Sequence, residues 1–457
     1  MADTEMRAAR GGDAGTPVDG QSLDEVVRFT SELIAMDTTN RGGGDGNERP
    51  AAEYVARWLA EAGIEPTLLE KAPGRTNVVA RIEGSDPGAE AMLVHGHLDV
   101  VPADASEWSV HPFSGEVRDG VVWGRGAIDM KNMDAMILSV VRGWARAGVR
   151  PRRDIVLAFT ADEEASAEYG SGYLADVHPG LFEGCTEGVS ESGAFTFHAG
   201  DGMRIYPVAA GERGTAWLRL TAHGRAGHGS KVNRENAVSR LAAAVSRIGE
   251  HRWPVRLTPT VRAALTELAA LYGVEGAAAD LDAPGFDVDA LLARLGRAAA
   301  LVEPTVRNSS NPTMLDAGYK INVIPGSATA QIDGRVVPGG EEEFNATLDA
   351  LTGPDVDWEF QHRETPLTAP VDSPTFAAMR AALTEFDPDA HVIPYCMSGG
   401  TDAKQFSRLG ITGYGFSPLR LPEGFDYSAM FHGVDERVPV AALHFGVRVL
   451  DRFLRGA

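Results

Sequence analysis

Two short apolar runs constrain this chain more than anything else in it. Ala91 to His95 (AMLVH) and Asp154 to Thr160 (DIVLAFT) are nearly continuous rather than alternating. A strand with one wet face alternates polar and apolar residues, so unbroken runs of this length predict strands covered on both sides. Helical spacing surrounds them. Val26, Phe29, Leu33 and Ile34 follow a capping-box pattern of Ser22 and Glu25, a second helix is predicted from about Pro50 to Ala62 with a stop at Gly63, and Met133, Ile137, Val140, Val141 and Trp144 mark a third within Asp129 to Ala147. With Asn77 to Ile82 also extended, strands and helices alternate, which predicts an α/β sheet with helices on both faces.

After Ser192 the pattern changes. An alternating stretch at Ala216 to Ala222 precedes a helical run from Ala237 to Ile248, an Ala/Leu-rich stretch from Val261 to Leu301, and strand-like segments at Tyr319 to Val323 and Ala328 to Val336. From Pro374 the helix, strand and loop pattern of the first region returns. A chain of 457 residues exceeds what one core usually organises. The expected arrangement is a discontinuous domain at 21–206 and 364–457 and an inserted one at 207–363, behind a frayed, disordered terminus at 1–20.

That terminus lacks the apolar core of a signal peptide, and no apolar run approaches the ~20 residues of a membrane helix, so a cytoplasmic location away from membranes is expected. A formal net charge of −22 with no offsetting basic block argues against a nucleic-acid partner. The two cysteines, Cys185 and Cys396, form no CxxC pair and suggest neither a disulfide framework nor a thiolate metal site.

Chemistry-bearing residues cluster where predicted strands end. His97 and Asp99 lie two positions apart in VHGHLDVVP, able to project the same way from a strand end, where ligands of open α/β sheets gather. Such a polar strand end can also simply bond its loop. Asp129, in GRGAIDMKN after Gly124 and Gly126, fits a helix cap as well as a metal ligand. Glu163 and Glu164, in ADEEA, are adjacent carboxylates leaving an apolar strand; a dication or a proton would relieve their repulsion, as would a solvated loop. Glu191 in VSESG and His432 in MFHGVDERVP complete a set of imidazoles and carboxylates without thiolate. Such ligands suit Zn²⁺, or Mn²⁺ and Co²⁺, and a bridging carboxylate can hold two metals ~3.5–4 Å apart.

In order along the chain, HGHLDVVP, GRGAIDMKN, ADEEA, ESG, AGHGS, SGGTDA and the final HG resemble the family containing aminoacylase, acetylornithine deacetylase, succinyl-diaminopimelate desuccinylase and glutamate carboxypeptidase. The resemblance implies a doubly covered mixed sheet of zinc-peptidase type carrying the metals, with an inserted, smaller α+β lid and dimerisation domain. It implies two Zn²⁺ per subunit, replaceable by Co²⁺ or Mn²⁺. His97 and Glu191 would each bind on one metal's side of the site, Asp129 would bridge both, and Glu164 and His432 would be the remaining ligands. Glu163 matches the general base and Asp99 the carboxylate that orients His97, a contact that fixes the tautomer of a ligand imidazole.

His228, in AGHGS of the inserted domain, matches a residue that reaches the partner subunit's site and stabilises the tetrahedral oxyanion, implying a homodimer through the lid. Asn322 in INVIP, Arg335 in DGRVVP, and Ser398, Gly399, Gly400 and Thr401 of SGGTDA match positions that hold the substrate's carboxylate and backbone, although Arg335 could instead pair with Asp333. The implied reaction is hydrolysis of an amide bond in N-acyl amino acids, by a metal-bridging water with Glu163 as base. Dipeptidase or carboxypeptidase activity on short peptides with a free C-terminal carboxylate is the close alternative, and a non-catalytic binding protein the distant one. Asn132 stands where glycine is frequent after DMK, and Asp435 where asparagine often follows the histidine; neither removes a ligand.

Overall fold

The structure, a computed structural model, describes residues 17–457 apart from 201, 280 and 284. The expectation of disorder at the terminus falls mostly on 1–16, outside the described residues; Asp19 already caps the first helix and Gly20 begins it. The described residues form two compact units, one running up to 209 and taking in 370–393 and 401–457, the other of 210–369 and 394–400.

In chain order the first unit begins with α1 (Gly20–Ile34), α2 (Arg49–Glu61), β1 (Pro66–Ala72), β2 (Arg75–Ile82), β3 (Ala91–His97), β4 (Val117–Arg118), β5 (Val121–Trp123), α3 (Lys131–Ala147), β6 (Ile155–Thr160), α4 (Ser171–Val177), β7 (Cys185–Ser190), β8 (Phe197–Gly200) and β9 (Met203–Glu212). The second unit contributes β10 (Gly214–His223), β11 (Gly227–His228), α5 (Ala237–Glu250), α6 (Pro259–Leu271), α7 (Val288–Arg294), β12 (Ser309–Ala317), β13 (Val323–Ile324), β14 (Ser327–Val336), α8 (Glu341–Thr352), β15 (Val356–Arg363) and β16 (Leu367–Thr368). There follow α9 (Pro374–Phe386), β17 (His391–Met397), α10 (Ala403–Phe406), β18 (Thr412–Gly415), β19 (Arg437–Pro439) and α11 (Val440–Gly456).

The large sheet is mixed, in the order β1-β2-β6-β3-β7-β18-β9-β16, with β8 and β17 also pairing with β9. Its centre, β6-β3-β7-β18, is parallel, and every residue of β3 and β6 is buried. The unbroken apolar runs are therefore the strands that need cover on both faces. Leu93, Val156 and Ala158 pack with Leu174 and Phe406 on one side. On the other, Gly96 lies so near α3 that a Cβ there would stand 2.3 Å from Asp134 Oδ1. In the second unit β12-β14-β10-β15 form an antiparallel sheet, and the alternating inward residues Leu218, Leu220, Ala330 and Ile332 pack against Leu241 and Ile248 of α5 and Phe344 of α8.

Two local expectations are corrected. The first helix is capped by Asp19, which accepts from Ser22 N–H at 2.7 Å, while the buried Glu25 turns away from the cap to Arg142 and Arg146; two guanidinium partners outcompete the capping box. Tyr319 to Asn322 form a turn instead of a strand, with Tyr319 and Ile321 exposed, because β13 is only two residues long.

A buried ion network stiffens the region under the predicted ADEEA turn. Arg75, fully buried, donates to both Glu48 oxygens at 2.8 Å and to Asp162 Oδ1 at 3.0 Å. Removing the guanidinium leaves two buried carboxylates uncompensated, a loss of about 3–5 kcal/mol. Arg75→Met is therefore expected to lower the thermal midpoint of the protein by about 10 °C; an unchanged midpoint in a melting experiment would remove Arg75 from this role.

Candidate metal centre

The parallel strands end level with one another: His97 of β3 pairs in register with Thr160 of β6. His97 closes β3, Glu163 and Glu164 follow β6, and Glu191 follows β7 directly. Ligands of open α/β sheets collect outside such carboxyl ends. Asp129 enters from the turn before α3, across a cis peptide to Met130, and His432 from a loop before β19 with φ of +54°. Five sequence-distant stretches thus meet in one place.

Asp129 lies at the middle of the group. Its Oδ1 is 3.1 Å from His97 Nε2, and its Oδ2 is 3.4 Å from His432 Nε2. Glu191 Oε1 and Glu163 Oε2 stand 3.8 and 4.0 Å from His97 Nε2, and Glu164 Oε2 is 3.1 Å from His432 Nε2. Among the described residues, two triplets have ligand atoms within 4.8 Å of one another: His97, Asp129 and Glu164, and His97, Glu163 and Glu191.

The charges are poorly balanced by protein alone. Burial, and then the charge of Glu191, hold Glu163 well above the carboxylate range; burial and Asp129 raise Glu191 likewise, and the same two causes push Glu164 up to about 7. Hydrogen bonds to Asp129 and Glu164 push His432 up to about 10. Burial opposes the charged form of His97, yet Asp129 and the glutamates raise its pKa well above the ordinary value. Burial opposes ionisation of Asp129 too, but His432 and His97 hold its carboxyl low. Glu164 Oε1 is buried without a hydrogen-bond partner. A carboxylate-rich, thiolate-free set with an orphaned buried oxygen fits a pair of divalent cations.

Asp99 is fully buried, and its hydrogen bond to His97 runs through its main chain. His97 Nδ1 meets the main-chain carbonyl of Asp99 at 2.9 Å, with the nearer carboxylate oxygen at 3.6 Å. The carboxylate instead accepts from the N–H groups of Glu163 and Glu164 at 3.2 and 3.1 Å and from Asn40 Nδ2 at 2.8 Å. Asp99 therefore shapes both elements: its carbonyl sets the imidazole and its side chain sets the two glutamates. Asn40 also bonds Asp162, joining this arrangement to Arg75. Neither Asn40 nor Arg75 stood out in the sequence, since no local pattern marks a partner so far along the chain.

The remaining candidates lie in or beside the second unit. His228 Nδ1 accepts from Ser230 N–H at 3.2 Å, which leaves Nε2 to carry the proton of the neutral ring. Asn322 is its neighbour through the β11–β13 pair, its carbonyl accepting from Gly229 N–H. Arg335 is engaged by Asp333 through both Nε, at 2.7 Å, and a second nitrogen, at 3.2 Å, the alternative that the sequence left open. Ser398, Gly399 and Gly400 belong to the second unit and Thr401 to the first. His95, two positions before His97, is buried edge-on to Phe406, and burial pushes it down to about 3, a packing residue.

Residues 93–456 match peptidase family M20/M25/M40. The chain is 29% identical over 386 residues to the human N-fatty-acyl-amino acid synthase/hydrolase PM20D1, covering 82% of this chain and 76% of the relative. It is 26% identical to aminoacylase-1 of Sus scrofa, covering 88% and 89%. Its fold superposes on the M20 family metallo-carboxypeptidase Sso-CP2 from Sulfolobus solfataricus with a TM-score of 0.69 at 18% identity, covering 94% and 99% of the two chains. With the family matched over most of its length, and two carboxylate and imidazole clusters able to chelate divalent metal at its strand ends, the chain belongs to peptidase family M20/M25/M40, the metal-dependent hydrolases of amide and peptide bonds.

Proposed function

We propose that this protein removes the acyl group from N-acyl amino acids, with His97, Asp129 and Glu191 holding one cation and Asp129, Glu164 and His432 the other. The observation that carries the ligand assignment is Asp129, which turns one oxygen toward each imidazole. Bound cations, which we take to be zinc, supply Lewis acidity for the scissile carbonyl and acidify an attacking water. Glu163 is the group placed to take that water's proton and pass it to the departing amine, since its Oε2 stands 4.0 Å from His97 Nε2. His228, with its proton on Nε2, offers a donor for the developing oxyanion. Asn322, Arg335 and the Ser398–Thr401 loop are the groups we assign to the substrate's carboxylate and backbone.

The acyl reading is supported by relatives named for N-fatty-acyl amino acids and for aminoacylase, each matched over most of the chain. Peptidase action on short substrates is the second reading, favoured by the fold shared with a metallo-carboxypeptidase. We further propose a homodimer through the second unit, whose edge strand β12 exposes Met314 and Leu315 beside the exposed turn at Tyr319 and Ile321. Matched panels of N-acetyl and long-chain N-acyl amino acids and of dipeptides, run on metal-assayed protein whose mass in solution is measured by sedimentation, test all three points. Higher kcat/KM for acyl substrates is expected. A preference for dipeptides would transfer the protein to the peptidase reading, and a monomer would remove the dimer.

A further inference from the structure

We propose that Asp435 and Glu436 form a strap of two carboxylates that sets His432 against Asp129, making Glu436 a positioning residue of the metal centre. The inference rests on the metal reading above and assigns work to a residue that touches neither imidazole. Glu436 is completely buried. Its Oε2 accepts from Arg125 at 2.8 Å and from Gly126 N–H at 3.0 Å, and its Oε1 accepts from the N–H groups of Ile128 at 2.7 Å and Asp129 at 3.0 Å. All four donors lie in the turn that ends in Asp129. The strap is also tied through its backbone, since Gly124 N–H donates to the Glu436 carbonyl and β19 pairs with β5.

Asp435 anchors the other side, accepting from Ser109 N–H at 2.7 Å and Oγ at 2.6 Å. This gives a use to the departure from asparagine at this position, because a carboxylate can accept both bonds. The link from the strap to His432 is short and stiff: a Cβ at Gly433 would stand 2.1 Å from the Ala429 carbonyl oxygen. His432 is itself exposed, at 58% of its side chain, whereas His97 is 1% exposed. Packing holds His97 in place, while the loop and its strap must hold His432.

The carboxylate is needed for its acceptors. An amide in its place offers one oxygen to donors that now use two, so buried N–H groups beside Asp129 lose their partner. The charge is offset by Arg125, whose guanidinium lies 5.2 Å from the Trp108 ring centroid. Removing a group that supports metal ligands from behind typically weakens metal affinity about 10–100-fold.

The experiment titrates Zn²⁺ and Co²⁺ into metal-free wild type, Glu436→Gln and Asp435→Ala, recording stoichiometry, affinity, the Co²⁺ visible spectrum and the melting temperature of each. Wild type should take up two ions. Glu436→Gln should weaken one of them about 10–100-fold, alter the Co²⁺ bands of that ion alone, and lower kcat at an unchanged KM. Asp435→Ala, which cuts only an exposed anchor, should weaken the same ion less and is the deciding variant if Glu436→Gln does not fold. Wild-type affinity and spectrum in the folded variants, even with a lower melting temperature, would reduce the strap to a folding staple. Failure of wild type to bind two ions would overturn the metal reading, and the strap with it.

Discussion

Glu163→Gln is expected to lower kcat by about 10²–10⁴-fold while leaving metal content and melting temperature close to wild type. The substitution keeps the shape of the side chain and removes its ability to take a proton. Because the Glu163 N–H bond to Asp99 is a backbone contact, the turn that also presents Glu164 is undisturbed. The paired substitution Glu164→Gln should behave in the opposite way, with one metal lost and activity falling as a result. Metal analysis alongside single-turnover hydrolysis separates the two. If Glu163→Gln retains wild-type turnover, the proton is handled elsewhere and the base assignment is wrong.

Chelation should destabilise the protein at pH 8 far more than at pH 5. In metal-free protein Glu164 rises from 4.5 to about 7, and Glu163 and Glu191 rise with it. Between those values the folded state binds more protons than the unfolded chain, so stability falls as pH rises through the window. His432, raised from 6.5 to about 10, acts in the same direction: its contribution is complete below 6.5 and is lost as pH climbs toward 10. Asp129, whose carboxyl is lowered, contributes stability that disappears only below the ordinary Asp range and does not offset this trend. Bound cations compete with protons for the same ligands and so stabilise most where protons are scarce. At a thousandfold excess over Kd each site adds about 4 kcal/mol, giving a chelator-induced drop in melting temperature on the order of 15 °C at pH 8. Equal drops at both pH values would contradict the proposed ligand set.

How much of this was legible in the sequence depended on whether the cause was local. Unbroken apolar runs revealed β3 and β6, since burial on both faces leaves a signature along a few consecutive residues. The same logic placed His97 and Glu163 at strand ends. Tyr319 to Asn322 misled because an apolar residue counts toward a strand whether or not another strand is there to pair with it, and Ile321 instead faces water. The roles of Asn40, Arg75 and Glu436 were hidden because each is defined by partners in other stretches of the chain, up to 311 residues away for Arg125 and Glu436. Asp99 has a second part that spacing does not encode: its carboxylate also accepts from the Glu163 and Glu164 N–H groups, which depends on the path of a loop far along the chain.

The place of β18 in the large sheet has a consequence for biosynthesis. This strand lies between β7 and β9 in space, yet it is encoded after the whole second unit, as is His432. A ribosome adding ~5–20 residues per second completes β7 and Glu191 roughly tens of seconds before either. During that interval the nascent sheet has an open slot beside β7, a vulnerable edge for pairing with another chain. Closing that slot and delivering His432 therefore wait until the second unit has been synthesised, and a product cut short within that unit is left with an open edge beside β7.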